Sequence, residues 1–192
     1  MENSTAVRIL EAAHDLIAAR GYFGFSYADI AEVVGIRKAS IHHHFPSKVD
    51  LVVATLKEYR AKLVEGADGL DRNVTDPLKR IQLYVNHWAE CVQSNNRPIC
   101  IAALLSAELP ALPEEIQVEV QRHFRYLVSW VEATFKEGSE RGSIHLREGA
   151  EAEAHAFVAL VHGAMISARA LGSSEIFLSI TQSAVERLQP SD

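Results

Sequence analysis

Cysteine is scarce in this sequence, with two residues in 192 and no CxxC spacing. That excludes a disulfide framework and a cysteine-based zinc site, so two free thiols in a reducing compartment are expected. No run of about 18 apolar residues stands out as a bilayer span, and the opening "MENSTAVRIL" lacks the basic and apolar regions of a secretory signal. A cytoplasmic chain without membrane contact is the expectation. Catalytic signatures are missing too: there is no P-loop, G-x-G-x-x-G, G-x-S-x-G or H-E-x-x-H, so an enzyme reading has no motif behind it. Alternating strand-like runs are absent as well.

Apolar residues, 48% of the chain, are sufficient for a core and recur at helical spacing, which implies an all-α fold. Val7, Leu10, Ala13 and Ile17 form a first stripe that ends at Gly21. Ser26 with Asp29 has the S-x-x-D pattern of a capping box and opens a short helix closed by Gly35; Ser47 with Asp50 repeats the pattern after Pro46. The second box starts a helix predicted over about 47–65. "EGADGLDRNVTDP" then breaks the periodicity and is the candidate boundary after it. Longer helices follow: one marked by Leu78, Ile81, Val85, Trp88 and Val92, one over about 99–108, and one marked by Ile116, Val120, Phe124, Leu127, Val131 and Phe135. The last two are predicted at about 150–171 and 174–189.

Net charge is −6, which taken over the whole chain argues against a nucleic-acid partner. The charge is unevenly placed, however. Residues 1–62 carry eight Lys/Arg and seven Asp/Glu, leaving eleven and eighteen for residues 63–192. Residues 33–49 hold Arg37, Lys38, Lys48 and three consecutive histidines with no acid among them. This is a local basic patch on an acidic molecule.

The histidines sit in "KASIHHHFPSK". Successive helical side chains point about 100° apart, so His42, His43 and His44 cannot converge on one ion, and no metal is expected. With Ile41 and Phe45 turned to the core, Ala39, Ser40, His42 and His43 face outward and His44 lies at the flank. A short helix after a glycine turn, bearing small and hydrogen-bonding residues beside basic ones, has the features of a recognition helix for a DNA major groove. A plain solvated helix of unusual composition is the alternative.

Residues 9–56, "ILEAAHDLIAARGYFGFSYADIAEVVGIRKASIHHHFPSKVDLVVATL", resemble the DNA-binding domain of the TetR family of bacterial transcriptional regulators. The resemblance rests on "AARGY", "ADIAEVVGI" and "FPSKVDL" in order. It implies an N-terminal three-helix helix-turn-helix domain (1–47) and a C-terminal helical effector-binding and dimerisation domain (48–192). It also implies a homodimer on a double-stranded DNA operator, released by a small-molecule effector, with no cofactor. By position, Ser26 and Tyr27 match the start of the helix that touches the backbone. Arg37, Lys38, Ala39, Ser40, His42 and His43 match the recognition helix and its entry, and His44 and Lys48 match phosphate contacts. Where the family most often has Tyr at the second residue after Ser40 and again near His44, this chain has histidine, so base preference does not carry over.

For the effector, Tyr84, His87, Trp88 and Cys91 lie within about two helical turns, with Leu104 and Phe124 as further candidates. Tyr84 and Trp88 fit a core role equally well. A lining of Tyr84, Trp88 and Leu104 carries no fixed charge, which suits an uncharged or weakly charged organic molecule. Cys100, at the start of a short helix, suits a thiol sensor of electrophiles or a buried apolar residue. Glu119 with His123, and Glu151 with His155, have i, i+4 spacing that ordinary surface pairing explains better than metal binding. Gly163, Ala164, Ser167 and Ala168 share a helix with Phe157, Leu160, Val161 and Met165, so that helix is apolar nearly all round. One side can face its own domain and the other a twin subunit, as the resemblance implies, so Phe157, Val161, Ala164 and Ala168, with Phe177, Ile180 and Ala184 on the next helix, are the candidate dimer interface, with burial inside one subunit as the alternative. A small-molecule binding module without DNA function remains open at this point.

Overall fold

The computed structural model describes residues 4–94 and 99–190. Among them the chain forms nine α-helices and no strand: α1 (Thr5–Arg20), α2 (Tyr27–Val34), α3 (Lys38–His44), α4 (Lys48–Asn73), α5 (Pro77–Gln93), α6 (Ile101–Glu108), α7 (Glu114–Glu140), α8 (Ala150–Leu171) and α9 (Ser174–Glu186). A single 3-10 turn, Leu109–Ala111, links α6 to α7. The all-α expectation holds.

Contacts group the chain into two compact units. One comprises Met1–Lys62 with Cys100–Phe124, the other Leu63–Ile99 with Arg125–Asp192. Helices α4 and α7 each contribute a segment to both.

In the first unit Ile9, Ala13, Ile17, Ile30, Ile41, Leu51 and Leu56 form a core with Ile101, Leu105, Ile116 and Val120. The α1 stripe is rotated from its expected position: Val7 is exposed, whereas Ile9 and Leu16 are buried. Gly21 closes α1 at φ +70°. A Cβ there would meet the Glu108 carboxylate, which accepts the Tyr22 amide at 2.8 Å. This glycine is needed for a close approach as well as for its dihedral.

Helix α4 corrects the expected boundary. It runs unbroken through Gly66 and Gly69 to Asn73 instead of ending near residue 65. Two glycines cost a helix about 1 kcal/mol each, which a 26-residue helix absorbs. The chain breaks at residues 74–76, where the Asp76 side chain caps α5 by accepting the Leu78 amide at 3.0 Å, with Pro77 in the first turn. Arg80 then braces the junction, donating to the Val74 carbonyl and to Glu137, each at 2.6 Å.

In the second unit α8 packs chiefly on α9, and both pack on α5. Helix α8 is long and apolar enough, by length and composition, to cross a bilayer, contrary to the sequence expectation that no such segment exists. Its Phe157, Val158, Val161, Ala164, Met165 and Ala168 are buried within the unit, and Phe157 stacks edge-on against Phe135. Its apolar character is that of a core helix.

Candidate nucleic-acid interface

Both capping boxes form. Ser26 Oγ accepts the Ala28 amide at 3.2 Å while Asp29 accepts the Ser26 amide at 2.8 Å. Ser47 and Asp50 reciprocate at 3.1 and 3.0 Å. Hydrogen bonds from Ser26, and then from Arg20 at 3.0 Å, hold the Asp29 carboxyl below its ordinary value. Gly35 ends α2 in the left-handed region at φ +72°, which turns the chain into α3.

Helix α3 has one buried side chain, Ile41, and Phe45 is half-buried just beyond it. Arg37, Lys38, Ala39, His42, His43 and His44 are exposed, and Ser40 is half-buried. The face inferred from the sequence is present, with basic residues at its entry and histidines along it.

Two expected DNA contacts are turned inward. Tyr27 is 9% exposed, and its hydroxyl donates toward the carbonyls of Phe45 and Ser47 at 2.8 and 2.6 Å. Burial, and secondarily the nearby Asp50 charge, pushes its pKa up to about 12. Tyr27 therefore ties α2 to the end of α3. Lys48 donates to the Phe25 carbonyl and stands 4.6 and 4.1 Å above the rings of Tyr22 and Phe25. Burial draws its pKa below the ordinary value, partly offset by Asp29 and Glu108. This side chain staples the α1–α2 loop to the start of α4. Sequence alone offered no signal for either role, because each depends on loop carbonyls brought close only by the fold.

The effector candidates divide between the units. Tyr84, Trp88 and Cys91 are buried on α5 in the second unit, whereas His87 is exposed. Trp88 lies 6.3 Å from the His162 ring and Tyr84 lies 5.8 Å from Trp130. The Trp88 indole N–H is buried and has no hydrogen-bond partner among the described residues. His162, which the sequence did not single out, is itself buried.

Cys100, Leu104 and Phe124 belong to the first unit, and Cys100 is fully buried 3.9 Å from His123 Nε2. The "NNRP" segment preceding Cys100 lies outside the described residues. Surface pairing of Glu119 with His123 is also corrected: both are 3% exposed, Glu119 bonded to Arg60 and Arg122, and His123 stacked on Tyr59 at 5.2 Å. Glu151 and His155 are exposed.

Of the expected dimer residues, Phe157, Val161, Ala164, Ala168, Phe177 and Ala184 are buried within the single chain, and Ile180 is half-buried. The exposed apolar side of α8 consists instead of Ala152, Ala156, Ala159, Gly163, Ile166 and Ala170.

Comparison with known proteins decides the family. Residues 9–55 match the model for bacterial regulatory proteins of the tetR family, and residues 77–183 match the tetracyclin repressor-like C-terminal domain. The chain belongs to the TetR family. It is similar to a TetR-family transcriptional regulator from Agrobacterium tumefaciens, at 46% identity and a TM-score of 0.94 over 97% of this chain and 98% of that one. It is 27% identical over 140 residues to the HTH-type transcriptional regulator CymR of Pseudomonas putida, covering 71% of this chain and 68% of that protein. The HTH-type transcriptional repressor DhaR of Mycobacterium sp. strain GP1 is 27% identical over 137 residues, with the same coverage. These are DNA-binding transcriptional regulators rather than enzymes.

Proposed function

We propose that this TetR-family regulator is a cytoplasmic repressor that binds a pseudo-palindromic operator as a homodimer and leaves it when a small organic molecule binds. The carrying observation is α3 itself, a short helix set between two capping boxes after a glycine turn, whose exposed side presents Lys38, Ala39, His42 and His43. Repression is favoured by DhaR, a relative named as a repressor. A dimer with two-fold symmetry places two recognition helices about 34–36 Å apart, one helical turn of DNA. The exposed apolar side of α8 is the face we assign to the twin subunit. For the effector, the buried aromatic cluster of Tyr84, Trp88, Trp130 and His162 is the region we assign.

Selection of bound duplexes from a random pool tests the reading. An enriched inverted repeat whose binding weakens steeply with salt is expected. A pool with no enriched motif at low salt would overturn it.

A further inference from the structure

Two contacts hold His42 and leave it a single nitrogen for DNA. Its Nδ1 lies 3.2 Å from the Pro46 carbonyl oxygen, and its ring packs on Tyr27 with centroids 4.7 Å apart. A carbonyl oxygen only accepts, so Nδ1 is the nitrogen that carries the donated hydrogen. In a neutral imidazole Nε2 then keeps a lone pair and no hydrogen. Tyr27 is itself anchored through the carbonyls of Phe45 and Ser47, so the surface against which His42 rests is fixed before DNA arrives. His43, also exposed, has a ring contact with His44, at 5.6 Å, and no other among the described residues.

We infer that His42 reads the operator as a single hydrogen-bond acceptor, selecting a base with an exocyclic amino group on its major-groove edge. This rests on the DNA-binding reading above and adds which chemistry one side chain recognises. Cytosine N4 and adenine N6 are the donors the major groove offers, whereas guanine and thymine present acceptors that would oppose the Nε2 lone pair. Commitment of Nδ1 to Pro46 also removes the two-point pairing by which arginine reads guanine. The selection is set by the protein's own carbonyl, which fixes the tautomer as an outer partner fixes that of a metal-bound histidine.

The test uses the full chain. Duplex selection is run with wild type and His42→Ala, an exposed site, with circular dichroism as the check that the fold is unchanged. Wild type should prefer one base pair at one position in each half-site, and His42→Ala should level that position alone. In the selected operator, replacing the cytosine or adenine of that pair by an analogue lacking its exocyclic amine should weaken wild type about fivefold, the value of one hydrogen bond, and leave His42→Ala unchanged. A His42-dependent loss of binding when the acceptor of the paired guanine or thymine is removed, with the amine-lacking analogue tolerated, overturns the inference, because Nε2 is then donating. A motif indifferent to His42, or an analogue that weakens both proteins equally, overturns it as well. A wild-type pool with no motif overturns the regulator reading itself, and this inference with it.

Discussion

The Arg60 guanidinium on α4 donates to the carboxylate of Glu119 on α7, a side chain only 3% exposed. Arg122 donates to the other oxygen at 2.7 Å, and beside this pair Tyr59 stacks on His123 with an interplanar angle of 14°. Burial by itself would raise the Glu119 pKa. The hydrogen bonds and charges of Arg60 and Arg122 outweigh it and hold the carboxyl below its ordinary 4.5. A depressed carboxylate contributes stability that is present above 4.5 and lost as pH falls through the lowered value. Arg60→Ala should cost about 3 kcal/mol, the low end for stripping a buried pair, because Arg122 remains. Denaturant unfolding at neutral pH measures the cost. Repeated between pH 5 and 3, it should show a decline in wild type that Glu119→Gln flattens; equal slopes would remove Glu119 as the source.

Tyr27→Phe should destabilise the protein by about 1–2 kcal/mol, since two carbonyls lose their buried donor. Because α3 is then less firmly held, operator affinity should fall for all sequences, with base preference softened only at the position that depends on His42. With its pKa at about 12, Tyr27 stays protonated in the fold where an unfolded tyrosine ionises near 10. Stability should therefore be undiminished below pH 10 and fall as pH rises toward 12, a decline absent from Tyr27→Phe. An altered preference away from the position that depends on His42 would return Tyr27 to the reading surface.

Both capping boxes, the glycine turn and the outward histidines were legible in the sequence, because each is a local pattern with a local cause. The long reach of α4 was not, since Gly66 and Gly69 resemble punctuation in sequence yet cost less than the helix gains around them. Nor were Lys48 above Tyr22 and Phe25, or Arg60 on Glu119, legible. Their partners stand 23 to 59 residues away and meet only through tertiary packing. Apolar content on α8 pointed to burial, but could not separate the side facing α9 from the side left exposed.

That separation changes how the dimer is tested. A charge at Ala164 or Ala168 would be buried inside the chain and should unfold it. Ile166 is 48% exposed, so Ile166→Glu should leave helicity and melting nearly unchanged while converting the dimer to a monomer in light scattering. A dimer that survives Ile166→Glu at micromolar concentration would place the interface elsewhere.

Both thiols are buried, Cys100 completely and Cys91 to 6% exposure. Thiol reagents need an accessible thiolate, so native protein should react slowly with an aromatic disulfide and release two equivalents only on denaturation. Cys100→Ser should retain operator binding and effector release. Rapid native labelling at Cys100 would revive the thiol-sensor reading.

Trp88 offers the sharpest test of the effector region, because its indole N–H is a buried donor with no partner among the described residues. A buried donor left unmatched costs about 1–3 kcal/mol, so a ligand oxygen or nitrogen that accepts from it gains that amount on binding. Truncation to alanine would confuse the result by opening a cavity worth about 3–5 kcal/mol. Trp88→Phe removes the donor while keeping most of the packing, and should preserve fold and operator affinity while shifting the effector dose response to about tenfold higher concentration. Trp130 donates to Asp71 at 3.2 Å and remains as a second fluorophore. Ligand-dependent fluorescence should therefore shrink in the mutant without disappearing from the baseline. Release requires the effector to prefer the conformation that leaves DNA, so operator should weaken effector binding by the same factor by which effector weakens operator. An unchanged dose response in Trp88→Phe would take the indole out of the site.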